Sequence, residues 1–494
     1  MRSIPKLALA TSVAALALAG CATANAQTRS RTPAANAPIS AAEAQQGAEA
    51  HPQILSEFGG TYTGPQARYI ETVGKNIAVQ SGLAGARDAF TVSTIDSSVN
   101  NAFAIPGGYI YTTRQLVALM NNEAELAAVL GHEVAHVAAR HAQRRQQNAT
   151  RNTLLGGLGA ILSGVLLGNS QIGQTLSRGL LQGSQMLTLS FSRNQELEAD
   201  RLGIGYLQRA GYDPRAMSTV LTSLARQNAL DAQLQNRNAS IPEWASTHPD
   251  PASRVQTAAR LAQGMAGLTN RDTFLQNISG IVYGDDPKQG VIEGRTFIHP
   301  ELRFAFTAPN GFYMVNSPRA VSINGQSGRA QLSMAQYNGN LESYVTQVFA
   351  ALGGNQQRLS PQQMQRTSVN GLPAAYGIAR VNQGNSQVDV VVFAYDMGNG
   401  QAYHFTAITP AGRSGVFNPM FQSMRRINQA EAGSVVPRRV EVVQVRSGDT
   451  VRSLASRMAY TDAQEARFRV LNGLGNAEEV QPGQRVKVVV RAAR

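Results

Sequence analysis

Three of the chain's seven histidines fall within ten residues, at His132, His136 and His141. The first two frame the run His132-Glu133-Val134-Ala135-His136. On a helix, a spacing of four puts both imidazoles on one face, one turn apart, where both reach a single ion. Glu133, beside the first of them, is placed to act on a water at the metal rather than on the metal itself. This is the residue pattern of zinc-assisted peptide hydrolysis: the ion acidifies water and a carboxylate takes its proton. The flanking Ala127, Ala128, Val129, Leu130, Val134, Ala135 and Val137 leave little polar surface besides the motif. Two histidines and a glutamate buried in such a helix need a partner, and one Zn2+ per chain is the expected one.

Two histidine ligands call for a third group. No cysteine is available, and His141, five residues on, is rotated away from the pair. The metzincin continuation also fails, because Ala139 and Ala142 stand where a glycine and a third histidine are needed. A carboxylate remains. Residues 192–200, SRNQELEAD, open a helix that closes at Gly211 before Asp213-Pro214. Glu196 and Asp200 share a face, while Glu198 points elsewhere. Glu196 as third ligand, with Asp200 accepting a hydrogen bond from a zinc-holding histidine, gives both a role. The alternative is a solvated acidic turn favoured by the helix dipole.

These segments, with residues 101–111 (NAFAIPGGYIY) and Ser246-Thr247-His248-Pro249, resemble the gluzincin metallopeptidases related to HtpX and the CAAX prenyl protease, in their BepA-like periplasmic branch. The resemblance spans residues 51–263. It implies Glu196 as the third ligand and His248 as a gate over the metal or a fourth ligand. The tetratricopeptide repeats that end BepA-like chains are missing, so partners bound through them do not carry over. The membrane spans of the prenyl-protease branch are missing too, which argues against a CAAX substrate.

The elements that must position these groups follow from pattern and composition. At 494 residues and 43% hydrophobic content, the chain predicts two to four domains of multidomain α+β class. A mainly helical protease domain with a small sheet is expected over 51–267, with helices at 67–81, 123–145, 192–210 and 251–265. Strands are expected at 90–95, 102–105 and 109–112, either of the last two pairing with an extended substrate. The charge-free residues 152–177 read as a buried or lid-like hairpin, or as a membrane- or partner-contacting surface. After a linker at 284–287, alternation over 290–429 predicts a strand-rich α+β accessory domain without a catalytic constellation. The tail, 442–494, has a βααβ pattern. Its Val445-Arg446-Ser447-Gly448-Asp449-Thr450, Leu471-Asn472 and Pro482-Gly483-Gln484 resemble a LysM module, which implies peptidoglycan binding or a role in docking alone.

The N-terminus reads as an address. Arg2 and Lys6 precede an apolar run, so residues 1–20 form a signal peptide, and Leu18-Ala19-Gly20-Cys21 resembles a lipobox. Cys21 is then lipidated and anchors the chain to a membrane, the outer membrane by the missing aspartate after it. Cleavage at Ala26 to a soluble periplasmic form is the alternative. Residues 21–50 read as a flexible tether. The formal charge of +13 falls to +11 once the leader is removed, and no run of five basic residues occurs, so nucleic acid is not a partner. The expected activity is zinc-dependent endopeptidase action on misfolded or stalled envelope proteins. The alternatives are an assembly factor or chaperone with a latent zinc site, and a peptidoglycan peptide hydrolase.

Overall fold

The computed structural model describes residues 37–145, 191–235, 248, 251–353, 359–383 and 386–492. The expected signal peptide over 1–20, Cys21, Ala26 and residues 152–177 lie outside them. No helix among the described residues is long and apolar enough to cross a membrane.

The flexible tether expected over 21–50 does not reach residue 50. Helix α1, Ala41–Glu57, begins inside it, started by a capping box in which Ser40 and Glu43 satisfy each other's backbone N–H groups. Small residues hold it in place: a Cβ on Gly47 would lie 2.4 Å from the Pro106 carbonyl. Farther along, Ile54 packs with Ile95, Phe103, Ile105 and Tyr111. Low hydrophobicity therefore did not mean freedom, because close backbone approach substitutes for bulk.

Strands β1 (Thr91–Ile95), β2 (Ala102–Ile105) and β3 (Tyr109–Thr113) form a sheet in the order β1-β3-β2. Gly107 and Gly108, both at positive φ, make the turn from β2 to β3. β3 is flanked on both sides, so of the two strands considered for substrate pairing only β2 presents an edge among the described residues.

The helices are α2 (Gln66–Ala78), α3 (Arg114–Leu119), α4 (Glu123–Ala138), α5 (Arg193–Arg209), α6 (Ala216–Leu234), α7 (Pro251–Leu261) and α8 (Arg271–Ile278). Every residue of α4 from Glu123 to His136 is buried, which makes it the central rod of the core. Gly131 of α4 faces Gly203 of α5, where a Cβ would lie only 3.3 Å from the His132 backbone nitrogen. This small-residue crossing brings the first turn of α5 over the two histidines. The helix expected to run to 145 stops at Ala138, because Arg140 adopts φ 52 and redirects the chain before 141–145 coil again.

Between residues 291 and 426 the chain forms a seven-stranded antiparallel sheet. A four-stranded sheet covers one face and the helix Leu341–Gly353 the other. The tail is βααβ as expected: β5 (Arg438–Gln444), α9 (Val451–Ala455), α10 (Gln464–Leu471) and β6 (Arg485–Arg491). Its sheet gains a third strand, β4 (Val282–Tyr283), contributed from beside the expected linker. The linker itself is pinned, since Asp285 accepts from Ser98 Oγ at 2.8 Å and from the Ile292 amide at 2.9 Å.

Candidate metal centre

Asn122 caps α4 by accepting from the Glu125 amide, and nearly three turns later the helix presents His132 and His136 side by side. Their Nε2 atoms are 3.0 Å apart. Glu196, in the first turn of α5, reaches both, with its carboxylate oxygens 3.4 Å from each Nε2. His248 completes the group, its Nδ1 3.0 Å from Glu196 Oε2. One ligand atom from each of His132, His136, Glu196 and His248 lies within 4.8 Å of the others, and all four residues are buried.

The hydrogen bonds around this group assign the ring tautomers. His132 Nδ1 lies 2.9 Å from Asp200 Oδ1 and donates to it. His141 Nε2 faces the Glu198 carboxylate at 3.3 Å and must donate, so its Nδ1 accepts from His136 Nδ1 at 2.8 Å. Both metal-side Nε2 atoms then turn lone pairs toward one another, an arrangement that needs a cation between them. Burial disfavours a charged His132, but its bonds to Asp200 and Glu196 prevail and push its pKa up to about 9. The site thus draws positive charge to that nitrogen, as a proton or as an ion. Glu196 is held far below the usual carboxylate range because the facing histidines outweigh its burial. Two imidazoles, a carboxylate and a third imidazole are a borderline donor set that suits zinc. The residues present therefore fit one zinc ion.

Glu133 is also buried, and burial raises its pKa. Its Oε2 has no hydrogen-bond partner among the described residues, and its Oε1 lies 3.7 Å from His248 Nε2. A buried acceptor left open beside a metal group is where a water or a substrate atom belongs.

Apart from Cys21, the residues singled out in the sequence lie at this one place, with Asp200 against His132. His141 corrects the expectation that it turns away from the pair. The left-handed Arg140 swings it back under His136, where it is fully buried. Glu198 has a role too, bridging His141 and Arg144. Arg254 was missed altogether. Its guanidinium grips both Asp200 oxygens at 2.7 Å and lies 2.7 Å from Glu196 Oε2. A signal for it existed: residues 254, 258 and 262 fall on one helical face, and Arg254 shares it with the buried Ala258 and Ala262. For His141 no such signal existed, since left-handed backbone at an arginine is not legible from spacing.

Because His141 fixes the His136 ring, His141→Phe should weaken zinc binding by about 10–100-fold. Competition with a chromophoric chelator measures this, and unchanged affinity would remove the relay from the account.

A profile of peptidase family M48 matches residues 65–262, and a LysM domain profile matches residues 443–489. The chain is 36% identical over 201 residues to the beta-barrel assembly-enhancing protease of Yersinia pestis, covering 40% of this chain and 39% of that one. The protein of the same name from Escherichia coli K12 is 35% identical with the same coverage. Mitochondrial metalloendopeptidase OMA1 of Schizosaccharomyces pombe is 29% identical over 211 residues, 42% of this chain and 57% of that one. The chain thus spans about two fifths of the length of the bacterial relatives it matches. The M48 match contains His132, Glu133, His136, Glu196, Asp200, His248 and Arg254. Residues 65–262 are therefore similar to peptidase family M48, with the His132, His136, Glu196 and His248 group inside the matched stretch, and residues 443–489 are similar to a LysM domain.

Proposed function

We propose that this chain is a zinc-dependent endopeptidase of the cell envelope that cleaves misfolded or stalled periplasmic and outer-membrane proteins. The observation that carries the reading is the open Glu133 Oε2 beside the buried His132, His136 and Glu196 group. Zinc, when bound, supplies a Lewis acid that polarises the scissile carbonyl and acidifies water. His132, His136 and Glu196 hold the ion, while Asp200 and the His141–Glu198 pair fix the two rings. Glu133 takes the proton of the attacking water and delivers it to the leaving nitrogen. The edge of β2 receives an extended substrate by strand addition, which favours unfolded segments over folded domains.

The substrate class is supported by the names of the bacterial relatives, and the envelope by the leader and Cys21. Lipidation at Cys21 would hold the enzyme on the outer membrane, and the LysM domain would bring it to peptidoglycan.

A second reading has an observation of its own. His248 sits on Glu196 and also lies 3.3 Å from the Ala102 carbonyl of β2, where a substrate strand would bond. In this state the site is closed, and the chain would act mainly as an assembly factor until His248 withdraws.

Incubating the zinc-loaded chain with an unfolded outer-membrane β-barrel protein separates these readings. Chelator-sensitive fragments are expected, with His248→Ala cleaving on the order of tenfold faster. Fragments from neither form would rule out the endopeptidase. Muropeptides released from sacculi instead would point to a cell-wall hydrolase.

A further inference from the structure

The LysM domain contains a lysine that its own fold does not use. Lys487 lies in the middle of β6, fully buried, and its backbone is clamped within the domain by Asn472. Its side chain leaves the domain. Nζ donates to three successive peptidase carbonyls, Ala118 at 2.8 Å, Leu119 at 3.2 Å and Met120 at 2.5 Å. These are the last residues of α3 and the first after it, immediately before Asn122, which caps the metal-bearing helix α4.

The surroundings are built for this contact. Glu125, in the first turn of α4, is buried within the electrostatic reach of Lys487 and accepts from the Asn121 amide at 2.7 Å. Arg271 bridges the two units, donating to the Asn121 carbonyl and to the Arg485 carbonyl of β6. Gly473 permits close approach: it holds φ +68, and a Cβ there would lie 3.1 Å from Asn121 Nδ2. Val440 of β5 belongs to the same apolar core as α4, and β4 from the peptidase side completes the LysM sheet. A module meant to swing on a linker gains nothing from burying a lysine side chain in another domain, since the loss of its water is offset only while the carbonyls are in place.

We propose that the LysM domain is an integral part of the peptidase, docked through Lys487 so that it positions the junction between α3 and α4 and thereby the start of the metal-binding helix. Any glycan held by the LysM domain would then set the orientation of the active site as well as its location.

It is tested by hydrogen exchange on the full zinc-loaded chain and its Lys487→Met variant. In the variant, amides 118–126 should exchange on the order of tenfold faster, while amides in α9 and α10 keep their protection. Arg226→Ala, which removes an exposed side chain bonded to the Gly473 and Leu474 carbonyls, should fold and show a smaller change in the same direction. The wild type should resist release of a 443–489 fragment under limited proteolysis. Unchanged exchange at 118–126 in both variants, or an intact LysM fragment released while 118–126 stay protected, overturns the proposal.

Discussion

Glu133→Gln is expected to retain one zinc per chain and lose peptide-bond cleavage, with kcat lower by about 10²–10⁴-fold. Glu133 is not among the four residues that can share the ion, and glutamine has the same shape, so the packing of α4 survives. What disappears is the acceptor. Oε2 is buried without a partner among the described residues, and burial raises the affinity of this carboxylate for a proton. An amide in that position cannot take a proton from water or return it to the leaving amine. Zinc content by mass spectrometry and turnover of an unfolded substrate, measured on one preparation, decide the matter. Full zinc with undiminished turnover would remove Glu133 from the chemistry. Loss of zinc would instead assign it a role in holding the metal.

Arg254→Met should be the most destabilising single change in the site, and its cost should depend on the metal. The side chain is buried and sits between Asp200 and Glu196. Asp200 is lowered to about 2, the neighbouring Arg254 charge outweighing its burial. Removing one partner of a buried charge cluster costs about 3–5 kcal/mol, because the remaining carboxylates stay buried without compensation. Zinc supplies part of the missing positive charge. The unfolding temperature should therefore fall much further in chelator than in excess zinc, widening the gap seen for the wild type. An equal drop in both conditions would reduce Arg254 to packing. Arg254→Lys should restore only part of the difference, since an ammonium cannot grip both oxygens of Asp200 and also reach Glu196.

The legible parts of this protein were those governed by local period. The four-residue spacing of His132 and His136 and of Glu196 and Asp200 already names one face of each helix. The strands 102–105 and the βααβ tail follow from alternation and turn chemistry, and the structure reproduces them. Composition misleads where small residues replace large ones: α1 begins inside the expected tether, and Gly47 lets it lie flat on the β2–β3 turn.

By itself the spacing determined the His132–His136 pair with Glu133 between them and the shared face of Glu196 and Asp200, because helical spacing is a local property, whereas Glu196 as third ligand and His248 over the metal rested on the resemblance. Tertiary structure alone decided how that set is completed and held. Only the Gly131–Gly203 crossing lowers Glu196 onto the histidines, and only the left-handed Arg140 returns His141 beneath His136. Arg254 and Lys487 reach their carboxylates and carbonyls from 54 to 369 residues away. Contacts at that separation depend on which faces pack together, and periodicity names at most the buried face, as for Arg254, without naming the partner.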